Sequence, residues 1–292
     1  MGTTEAKLKH SLSDEDPMSN RLQDEVAVVT GGGGGIGEAV CHRFAEAGAD
    51  VIAVDVDGDT ARSTAERIET ETGRTAIGVE TDVSDEAQVE AMADIVDDRF
   101  DRVDVLVNNA GIRVDPTPVT EATEEMWDRI LGVNLKGYAF CAKHLIPLMS
   151  DGGSIINVSS EGAEVARRNW SLYDSTKGAI VSMTQDMACD HAEDDIRVNA
   201  VSPGWVITDF HLPEEDPDGF FEEKTSPHAD GPGILKRAGA PRELANAILF
   251  LASDEASFVT GANVRIDGGK TAVGHDIQWE SLIEGEMDST ML

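Results

Sequence analysis

Residues 25–37, Glu-Val-Ala-Val-Val-Thr-Gly-Gly-Gly-Gly-Gly-Ile-Gly, are the stretch that decides the fold. The short apolar run at 25–30 stops in glycines, which predicts a buried strand, and an amphipathic helix is predicted directly after the glycines, at 38–48. Glycines between a strand and a helix N-terminus let backbone N–H groups approach a pyrophosphate, and the helix dipole adds partial positive charge. Consecutive glycines would also suit a flexible linker, but the flanking strand and helix favour a phosphate-binding turn.

The next strand, predicted at 50–55, ends in an acidic residue, Asp55. Asp55 follows the glycine turn by about 20 residues, where a carboxylate can bind the adenosine ribose hydroxyls and repel a 2′-phosphate. Neither the glycine turn nor Val56 offers a lysine or arginine for such a phosphate. We therefore expect NAD to be preferred over NADP. The competing interpretation is an ordinary turn aspartate in an acid-rich protein.

Strands and helices keep alternating along the rest of the chain. Further strands are predicted at 75–80, 103–107, 154–158, 197–201 and 263–266, and helices at 59–72, 85–99, 123–149, from 171 onwards and at 241–252. Such alternation predicts an α/β fold, with one doubly wound parallel sheet covered by helices on both faces. Ligands bind such sheets at the carboxyl ends of the strands, so the turns that follow the strands form the candidate site.

Tyr173 and Lys177 lie four residues apart at the start of an apolar segment that is predicted to be helical. At this spacing two side chains share one face of the helix, about 5–6 Å apart at Cβ. A phenol titrates near pH ~10 and transfers protons poorly at neutral pH, whereas a neighbouring ammonium favours the phenolate and lowers its pKa. The pair is a candidate for proton transfer, although surface helices also carry such pairs by chance.

The charge balance is strongly acidic, with 56 Asp and Glu against 23 Lys and Arg and a net charge of −33 in 292 residues. Such a field repels nucleic acid and anionic membranes, so neither is an expected partner. The composition resembles that of proteins from extreme halophiles. Self-repulsion on this scale predicts a fold that needs high salt.

Other sequence signals exclude several classes of protein. No apolar run approaches the ~18–20 residues of a membrane span and no signal-peptide pattern occurs, which predicts a cytoplasmic protein. Cys41, Cys141 and Cys189 lie far apart and are interpreted as reduced core residues. The seven histidines form no H-E-x-x-H motif and no cluster with cysteines, so no metal site is predicted.

Together these motifs make residues 24–269 resemble the short-chain dehydrogenase/reductase family, whose motifs occur here in the family's order. The resemblance implies a Rossmann-type fold and a catalytic tetrad of Asn134, Ser160, Tyr173 and Lys177. It implies that the cofactor is bound by Thr30, Gly31, Gly35, Ile36, Gly37, Asp55, Asp82, Val83, Asn109, Ala110, Gly111, Tyr173, Lys177, Pro203, Gly204, Val206 and Thr208. Ser160 is preferred to Ser159 because it lies 13 residues before Tyr173, the family's usual spacing.

The resemblance also implies a reaction. Ser160 would hold the substrate oxygen against Tyr173, which transfers the proton, while Lys177 lowers the pKa of the tyrosine and Asn134 holds a water that relays protons. The implied enzyme is an NAD-dependent oxidoreductase that interconverts a secondary alcohol and a ketone of sugar, polyol or hydroxy-acid type. Two alternatives stay open: an NADPH-dependent 3-oxoacyl-thioester reductase for substrates on acyl carrier protein, and a non-catalytic NAD-binding redox sensor.

The loops at 112–120, 161–172 and 205–235 are expected to build the substrate pocket. Trp170 and Trp205 would form its walls beside Ser160 and Tyr173. The same loops carry Arg113, Arg167, Arg168 and His211. The arginines either recruit a carboxylate or phosphate, or balance the acidic residues Glu161, Glu164 and Asp115, and the second interpretation is favoured.

The chain is expected to form one catalytic domain at 21–269, with an N-terminal tail at 1–20. Prolines and glycines are frequent at 205–236, which is predicted to be a substrate loop that acts as a lid. The C-terminal extension at 270–292 is apolar enough to pack on a neighbouring subunit. The family resemblance implies a homotetramer or homodimer.

Overall fold

A computed structural model describes residues 20–208, 211–213 and 215–272 of the chain. The predicted N-terminal tail and the predicted C-terminal extension therefore lie outside the described residues, apart from Asn20 and 270–272.

Seven strands of the described chain form one sheet in the order β3-β2-β1-β4-β5-β6-β7, and every neighbouring pair is parallel. The strands are β1 (Val26–Thr30), β2 (Asp50–Asp55), β3 (Ala76–Glu80), β4 (Val105–Asn108), β5 (Gly153–Val158), β6 (Ile196–Pro203) and β7 (Asn263–Ile266). The central strand β1 is buried at every position, as its uninterrupted apolar run predicts.

Helices cover both faces of the sheet. They are α1 (Gly35–Glu46), α2 (Gly58–Thr72), α3 (Glu86–Phe100), α4 (Glu124–Leu131), α5 (Gly137–Leu145), α6 (Ser171–Asp190), α7 (Pro217–Thr225) and α8 (Pro241–Ala252). One hydrophobic cluster joins the sheet to α1, α2 and α8, and a second joins it to α3, α5 and α6. The prediction of a single doubly wound parallel sheet is therefore confirmed.

The strand order places a crevice between β1 and β4. Val28 of β1 pairs with Ile52 of β2 on one side and with Leu106 of β4 on the other. The chain leaves β1 towards one edge of the sheet and returns at β4 to build the other edge. At this reversal the turns after the two strands diverge, and a ligand can enter between them.

The helix predicted at 123–149 is broken. A π-helical segment, Gly132–Lys136, separates α4 from α5, and a short 3₁₀ turn, Ile146–Leu148, ends the run. Asn134 lies in the middle of the π-helical segment and is fully buried. Single π turns inside α-helices are frequent at functional sites, where they redirect a side chain.

The segment at 205–236 is predicted to be a loop, and this prediction is wrong for α7. Its start has a recognisable signal: the carboxylate of Asp216 accepts a hydrogen bond from the Gly219 N–H at 3.1 Å, and Pro217 occupies the first helical position. An N-cap aspartate followed by proline favours helix initiation.

The prediction for the cysteines is correct for Cys41 and Cys141, which are buried, and wrong for Cys189, which is exposed. Cys189 follows the buried Ala188 on α6, so it turns towards solvent while Ala188 packs on the core. Among the described residues, no group of three His, Cys, Asp or Glu side chains could hold a metal ion, and no helix is long and apolar enough to cross a membrane.

Candidate active site

The glycine turn after β1 leaves its backbone exposed to a ligand because side chains are sterically forbidden there. Gly31 and Gly35 have positive φ angles of 67° and 55°, which non-glycine residues rarely adopt. A Cβ atom on Gly37 would overlap the carbonyl oxygen of Gly31. Helix α1 begins at Gly35, so its unpaired N–H groups and dipole face the opening of this turn.

Asp55 lies at the carboxyl end of β2, next to the glycine turn. Its carboxylate accepts hydrogen bonds from the N–H of Gly33 at 3.0 Å and from the N–H of Asp57 at 3.1 Å. The following residue, Val56, is 68% exposed and brings no positive charge. The two N–H groups hold the carboxylate in place, while Asp57 caps helix α2 through the N–H groups of Asp59 and Thr60.

The turn after β4 is tied to the end of β1. The hydroxyl of Thr30 accepts hydrogen bonds from the N–H groups of Asn109 at 2.9 Å and Ala110 at 3.0 Å. The Asn109 amide in turn donates to the carbonyl of Thr30 at 2.9 Å. These bonds fix the two sides of the crevice, and Gly111, the next residue, is exposed towards it.

Asp82 and Val83 follow β3 at the rim of the crevice. The Asp82 carboxylate accepts hydrogen bonds from the N–H of Ser84 at 2.9 Å and from its hydroxyl at 2.7 Å. Val83 is 5% exposed and packs against Gly137 at the start of α5. Both side chains hold the turn in shape, and neither borders the large cavity described below.

A cavity of about 1040 Å³ opens at the carboxyl ends of the strands. It brings together the following predicted site residues: Ile36, Asn109, Gly111, Ser160, Trp170, Tyr173, Lys177, Pro203, Gly204, Trp205, Val206 and Thr208. Thr30, Gly31, Gly35, Gly37, Asp55, Ala110 and Asn134 lie outside its lining. The residues predicted to contact the substrate therefore line one cavity. The glycine turn borders the same cavity through Ile36.

Ser160 and Ser159 have different environments. The Ser160 hydroxyl accepts a hydrogen bond from the N–H of Gly162 at 3.2 Å and lies near enough to the phenol of Tyr173 to oppose the rise in its pKa that burial causes. The Ser159 hydroxyl instead donates to the carbonyl of Lys177 at 2.7 Å and is buried. Ser160 therefore lies beside the tyrosine, whereas Ser159 ties the end of β5 to helix α6.

Lys177 is 3% exposed, and its ammonium group donates to the carbonyl of Val158 at 2.8 Å. The same nitrogen lies 5.6 Å from the centre of the Tyr173 ring and 3.5 Å from the Tyr138 hydroxyl. Burial lowers the pKa of Lys177 to about 7, because the charged form loses its hydration. Near neutral pH this amine can therefore both hold and release a proton.

The expected lowering of the Tyr173 pKa by Lys177 is not what this structure shows. Burial raises the pKa of the Tyr173 phenol above its usual value, and the groups that oppose this rise are Arg113, Arg167 and Ser160. Lys177 contributes little because its own burial disfavours the charged form that would stabilise a phenolate. Arg113 and Arg167 therefore favour the phenolate, but the pKa of the phenol stays above its usual value.

Asn134 connects the turn after β4 to helix α6. Its side-chain oxygen accepts from the N–H of Ile112 at 2.8 Å, and its amide donates to the carbonyl of Ile112 at 2.9 Å. The amide also lies 3.3 Å from the hydroxyl of Thr176. The π turn places this side chain in the interior, where it holds residue 112 directly after Gly111, which lies next to Lys177.

Trp170 and Arg167 form one wall beside the tyrosine. The rings of Trp170 and Tyr173 meet edge to face with centroids 5.8 Å apart, and the guanidinium of Arg167 lies 4.4 Å from the Trp170 ring. Asp174 pairs with that guanidinium at its Nε and Nη2 atoms. A Cβ atom on Gly162 would overlap the Asp174 carboxylate, so glycine is required for this approach.

The expected balance between the pocket arginines and nearby acids is wrong for Glu161 and Glu164. Glu161 pairs with Lys270 at 2.6 Å, and Glu164 pairs with Arg265 at 3.1 Å. Arg113 and Arg167 line the cavity, whereas Arg168 is exposed and lies outside the lining. Partners more than 90 residues away in the sequence could not be read from local spacing.

Tyr138 is a site residue that sequence reasoning missed. Its hydroxyl donates to the carbonyl of Val158 at 3.0 Å, the same carbonyl that Lys177 binds. Burial raises the pKa of Tyr138 well above its usual value, so this phenol stays protonated. A signal did exist, because Tyr138 follows Asn134 by four residues and is one of only two tyrosines in the chain.

A nicotinamide dinucleotide fits these residues. The turn at Gly31–Gly37 offers backbone N–H groups at a helix N-terminus with no side chain in the way, and a fixed carboxylate, Asp55, stands at the adenosine end. A cavity holding a serine, a tyrosine and a lysine opens beside it. Fold and site together define a nicotinamide-dependent oxidoreductase of the Rossmann type.

Comparison with known proteins agrees with this class. A family model described as enoyl-(acyl carrier protein) reductase matches residues 31–271. The chain is 39% identical to meso-2,3-butanediol dehydrogenase of Serratia marcescens, over 86% of this chain and 96% of that protein. It is 40% identical to cis-4-hydroxycyclohexanecarboxylate dehydrogenase of Sinomonas cyclohexanicum, over 88% of this chain and 100% of that protein.

A solved structure of L-sorbose reductase from Gluconobacter frateurii, complexed with NADPH and L-sorbose, is also similar. It superimposes with a TM-score of 0.81 at 30% identity and covers 88% of this chain and 100% of that one. The chain belongs to the short-chain dehydrogenase/reductase family.

Proposed function

We propose that this enzyme interconverts a secondary alcohol and its ketone with NAD as the hydride carrier. The observation that supports this most directly is the grouping of Ser160, Tyr173 and Lys177 at one wall of the cavity that adjoins the glycine turn. The similar dehydrogenases named above act on a diol and on a hydroxy acid. A sugar, a polyol or a hydroxy acid is therefore the proposed substrate class.

The chain's own residues divide the work. Ser160 holds the reacting oxygen through its hydroxyl, which lines the same cavity as the phenol of Tyr173. Tyr173 accepts the alcohol proton during oxidation and returns it during reduction. Before oxidation the phenol must lose its own proton, and Lys177, with a pKa of about 7, is partly neutral near pH 7 and can take that proton and return it during reduction. Lys177 would also bind the nicotinamide ribose. The bound nicotinamide supplies only the hydride acceptor or donor.

Asn134 keeps Ile112 fixed, and the preceding residue, Gly111, lies next to the Lys177 ammonium group. Its further role in holding a water that relays protons stays a prediction.

Removal of the phenol tests the scheme. Tyr173→Phe should lower kcat on any active substrate by more than tenfold, because general acid–base catalysis contributes about 10²–10⁴-fold. NADH binding, followed by fluorescence, should stay within twofold, since the ring and its edge contact with Trp170 are kept. A variant that retains more than a tenth of kcat would contradict the assignment.

The preference for NAD rests on Asp55 and its surroundings. The carboxylate is held by the Gly33 N–H, and the neighbouring Val56 is exposed and uncharged. A 2′-phosphate would meet this carboxylate without a cation on either residue. We expect kcat/KM to be at least about tenfold higher with NAD than with NADP, and Asp55→Ala to narrow the ratio. A wild-type preference for NADP would reject the proposal.

A 3-oxoacyl-thioester reductase remains the second candidate, because the chain is also 39% identical to a 3-oxoacyl-[acyl-carrier-protein] reductase of Thermotoga maritima, over 85% of this chain and 98% of that protein. Asp55 disfavours the NADPH that such an enzyme would use. Assays of an acetoacetyl thioester beside a panel of secondary alcohols, with both cofactors and in high salt, separate the candidates. Absence of turnover in the whole panel, with NADH still bound, would instead support a redox sensor.

We also propose a homodimer or homotetramer, on the basis of family membership. Sedimentation equilibrium in high salt tests this, and a monomer at micromolar concentration would refute it.

A further inference from the structure

The cavity has a charge composition opposite to that of the chain. Five of the 23 lysines and arginines line it, but only two of the 56 aspartates and glutamates. The cations are Arg113, Arg167, Lys177, Lys236 and Lys270, and the acids are Glu161 and Asp230. In a protein with a net charge of −33, positive charge is thus concentrated where the substrate must bind.

Several of these cations already have structural tasks. Lys177 donates to the carbonyl of Val158. Lys270 pairs with the buried Glu161 at 2.6 Å. Arg167 pairs with Asp174 and stacks on Trp170, so it builds the wall. Arg113 directly follows Ile112, whose backbone is held by hydrogen bonds to the side chain of Asn134.

Arg113 projects from a firmly held piece of backbone. Both the N–H and the carbonyl of Ile112 are bonded to the side chain of Asn134, which is fully buried. The position from which the Arg113 side chain departs is thereby set, although the side chain itself is exposed to the cavity. A side chain that starts from a fixed backbone position and reaches into the cavity suits a residue that binds a ligand group.

The Arg113 charge acts on the substrate side of the site. Burial raises the pKa of the Tyr173 phenol and lowers that of the His211 imidazole, and the charge of Arg113 is near enough to oppose the first shift and to add to the second. His211 is held by Thr208, whose N–H lies 3.2 Å from its Nδ1 atom. Cofactor phosphates belong instead at the N-terminus of α1, on the other side of Thr208, which packs against Gly35.

We propose that the substrate is an anion, a hydroxy acid or oxo acid whose carboxylate pairs with Arg113 while its reacting oxygen lies on Ser160 and Tyr173. The planar guanidinium can bind a carboxylate through two parallel hydrogen bonds, which fixes direction as well as charge. Lys236, an exposed residue of the lining, adds to the attraction at the mouth. This inference rests on the proposed function and narrows its substrate class.

The test compares acids with their neutral counterparts. Wild-type enzyme, Arg113→Gln, Arg113→Lys and the control Arg168→Gln are assayed on 3-hydroxybutanoate, 4-hydroxypentanoate and 4-hydroxycyclohexanecarboxylate, each beside its primary amide. Arg168 is the matched control because it is exposed on the same loop as Arg167 but lies outside the cavity lining. All assays use the lowest KCl concentration that keeps the fold, since salt screens exposed charges.

We expect wild-type kcat/KM to be at least about tenfold higher for one or more acids than for the matching amide. Arg113→Gln should lower kcat/KM for that acid by about 10- to 100-fold, mainly through KM, and change the amide by less than threefold. Arg113→Lys should fall between the two because it keeps charge without the bidentate geometry. Arg168→Gln should match the wild type.

Other outcomes overturn the inference. Equal kcat/KM for acid and amide, turnover of neutral alcohols alone, or an equal loss on both substrates in Arg113→Gln would show that Arg113 binds no substrate anion, while the proposed oxidoreductase stands. Weaker NADH binding by Arg113→Gln, by more than tenfold, would assign the arginine to the cofactor.

If no alcohol, ketone or acid is turned over, the oxidoreductase proposal fails, and the anion site is then tested by binding. The melting temperature of the protein mixed with NADH is measured in the presence of each acid and of each amide. A rise with acids alone that Arg113→Gln removes would support the anion site. No difference between acids and amides would refute it.

Discussion

Lys177 should make the free energy of unfolding rise with pH in a range where ordinary lysines have little effect. The side chain is 3% exposed, and burial brings its pKa to about 7 from a model-peptide value of 10.5. Between these two values the unfolded chain binds a proton that the folded chain lacks. Stability therefore increases with pH from about 7 to 10.5, and below 7 both states are protonated.

The size of the effect follows from the two pKa values. Each pH unit in which the proton difference is complete contributes about 1.4 kcal/mol. Because the folded amine is half-protonated at pH 7, the gain between pH 7 and pH 9 is about 2 kcal/mol. Lys177→Met removes the titrating group while nearly keeping its volume, so the variant should lack this gain.

The assay is urea unfolding of the enzyme without cofactor, in 2 M KCl, at pH 7, 8 and 9. The difference between wild type and Lys177→Met should change by about 2 kcal/mol across this range in favour of the wild type. Lys143→Met is the control, because Lys143 is exposed, pairs with Glu86 and has a raised pKa. If the free energy of unfolding changed equally with pH in the wild type and in Lys177→Met, the lowered pKa of Lys177 would be refuted.

Two further predictions concern the loop at 205–236 and the charge. If this segment closes over the site, trypsin should cut at Lys224 and Lys236 more slowly with NADH than without it, and equal rates would argue against a lid. Self-repulsion of a net charge of −33 should make the melting temperature higher in 2 M than in 0.1 M KCl, and equal values would remove the case for a salt-dependent fold.

Local pattern was enough to predict the fold. The apolar run of β1, the glycine turn and helix α1 each depend on neighbours within a few residues, and so does the alternation that makes a parallel sheet. The placement of Asp55 beside the turn follows from the length of one helix and one strand. Family motifs then located Ser160, Tyr173 and Lys177, which the structure places at one cavity.

Other features depend on contacts between distant segments, and local pattern does not encode them. The predicted helix breaks at Asn134, and the reason lies in a distant segment: the side-chain amide of Asn134 forms hydrogen bonds with both the N–H and the carbonyl of Ile112. The hydrogen bond that the Ser159 hydroxyl donates likewise depends on a partner that is distant in the sequence, the carbonyl of Lys177. Helix α7 was missed for a different reason, since its cap signal was present but outweighed by prolines and glycines.

The sequence by itself determined that a nicotinamide-dependent fold is built and where in it Ser160, Tyr173 and Lys177 lie, because these follow from periodicity and motif order. Only the tertiary structure decided how those side chains are charged. Burial lowers the pKa of Lys177 and raises that of Tyr173, and the arginines at 113 and 167 oppose the second shift. Desolvation depends on everything packed around a group, so spacing along the chain could not reveal it.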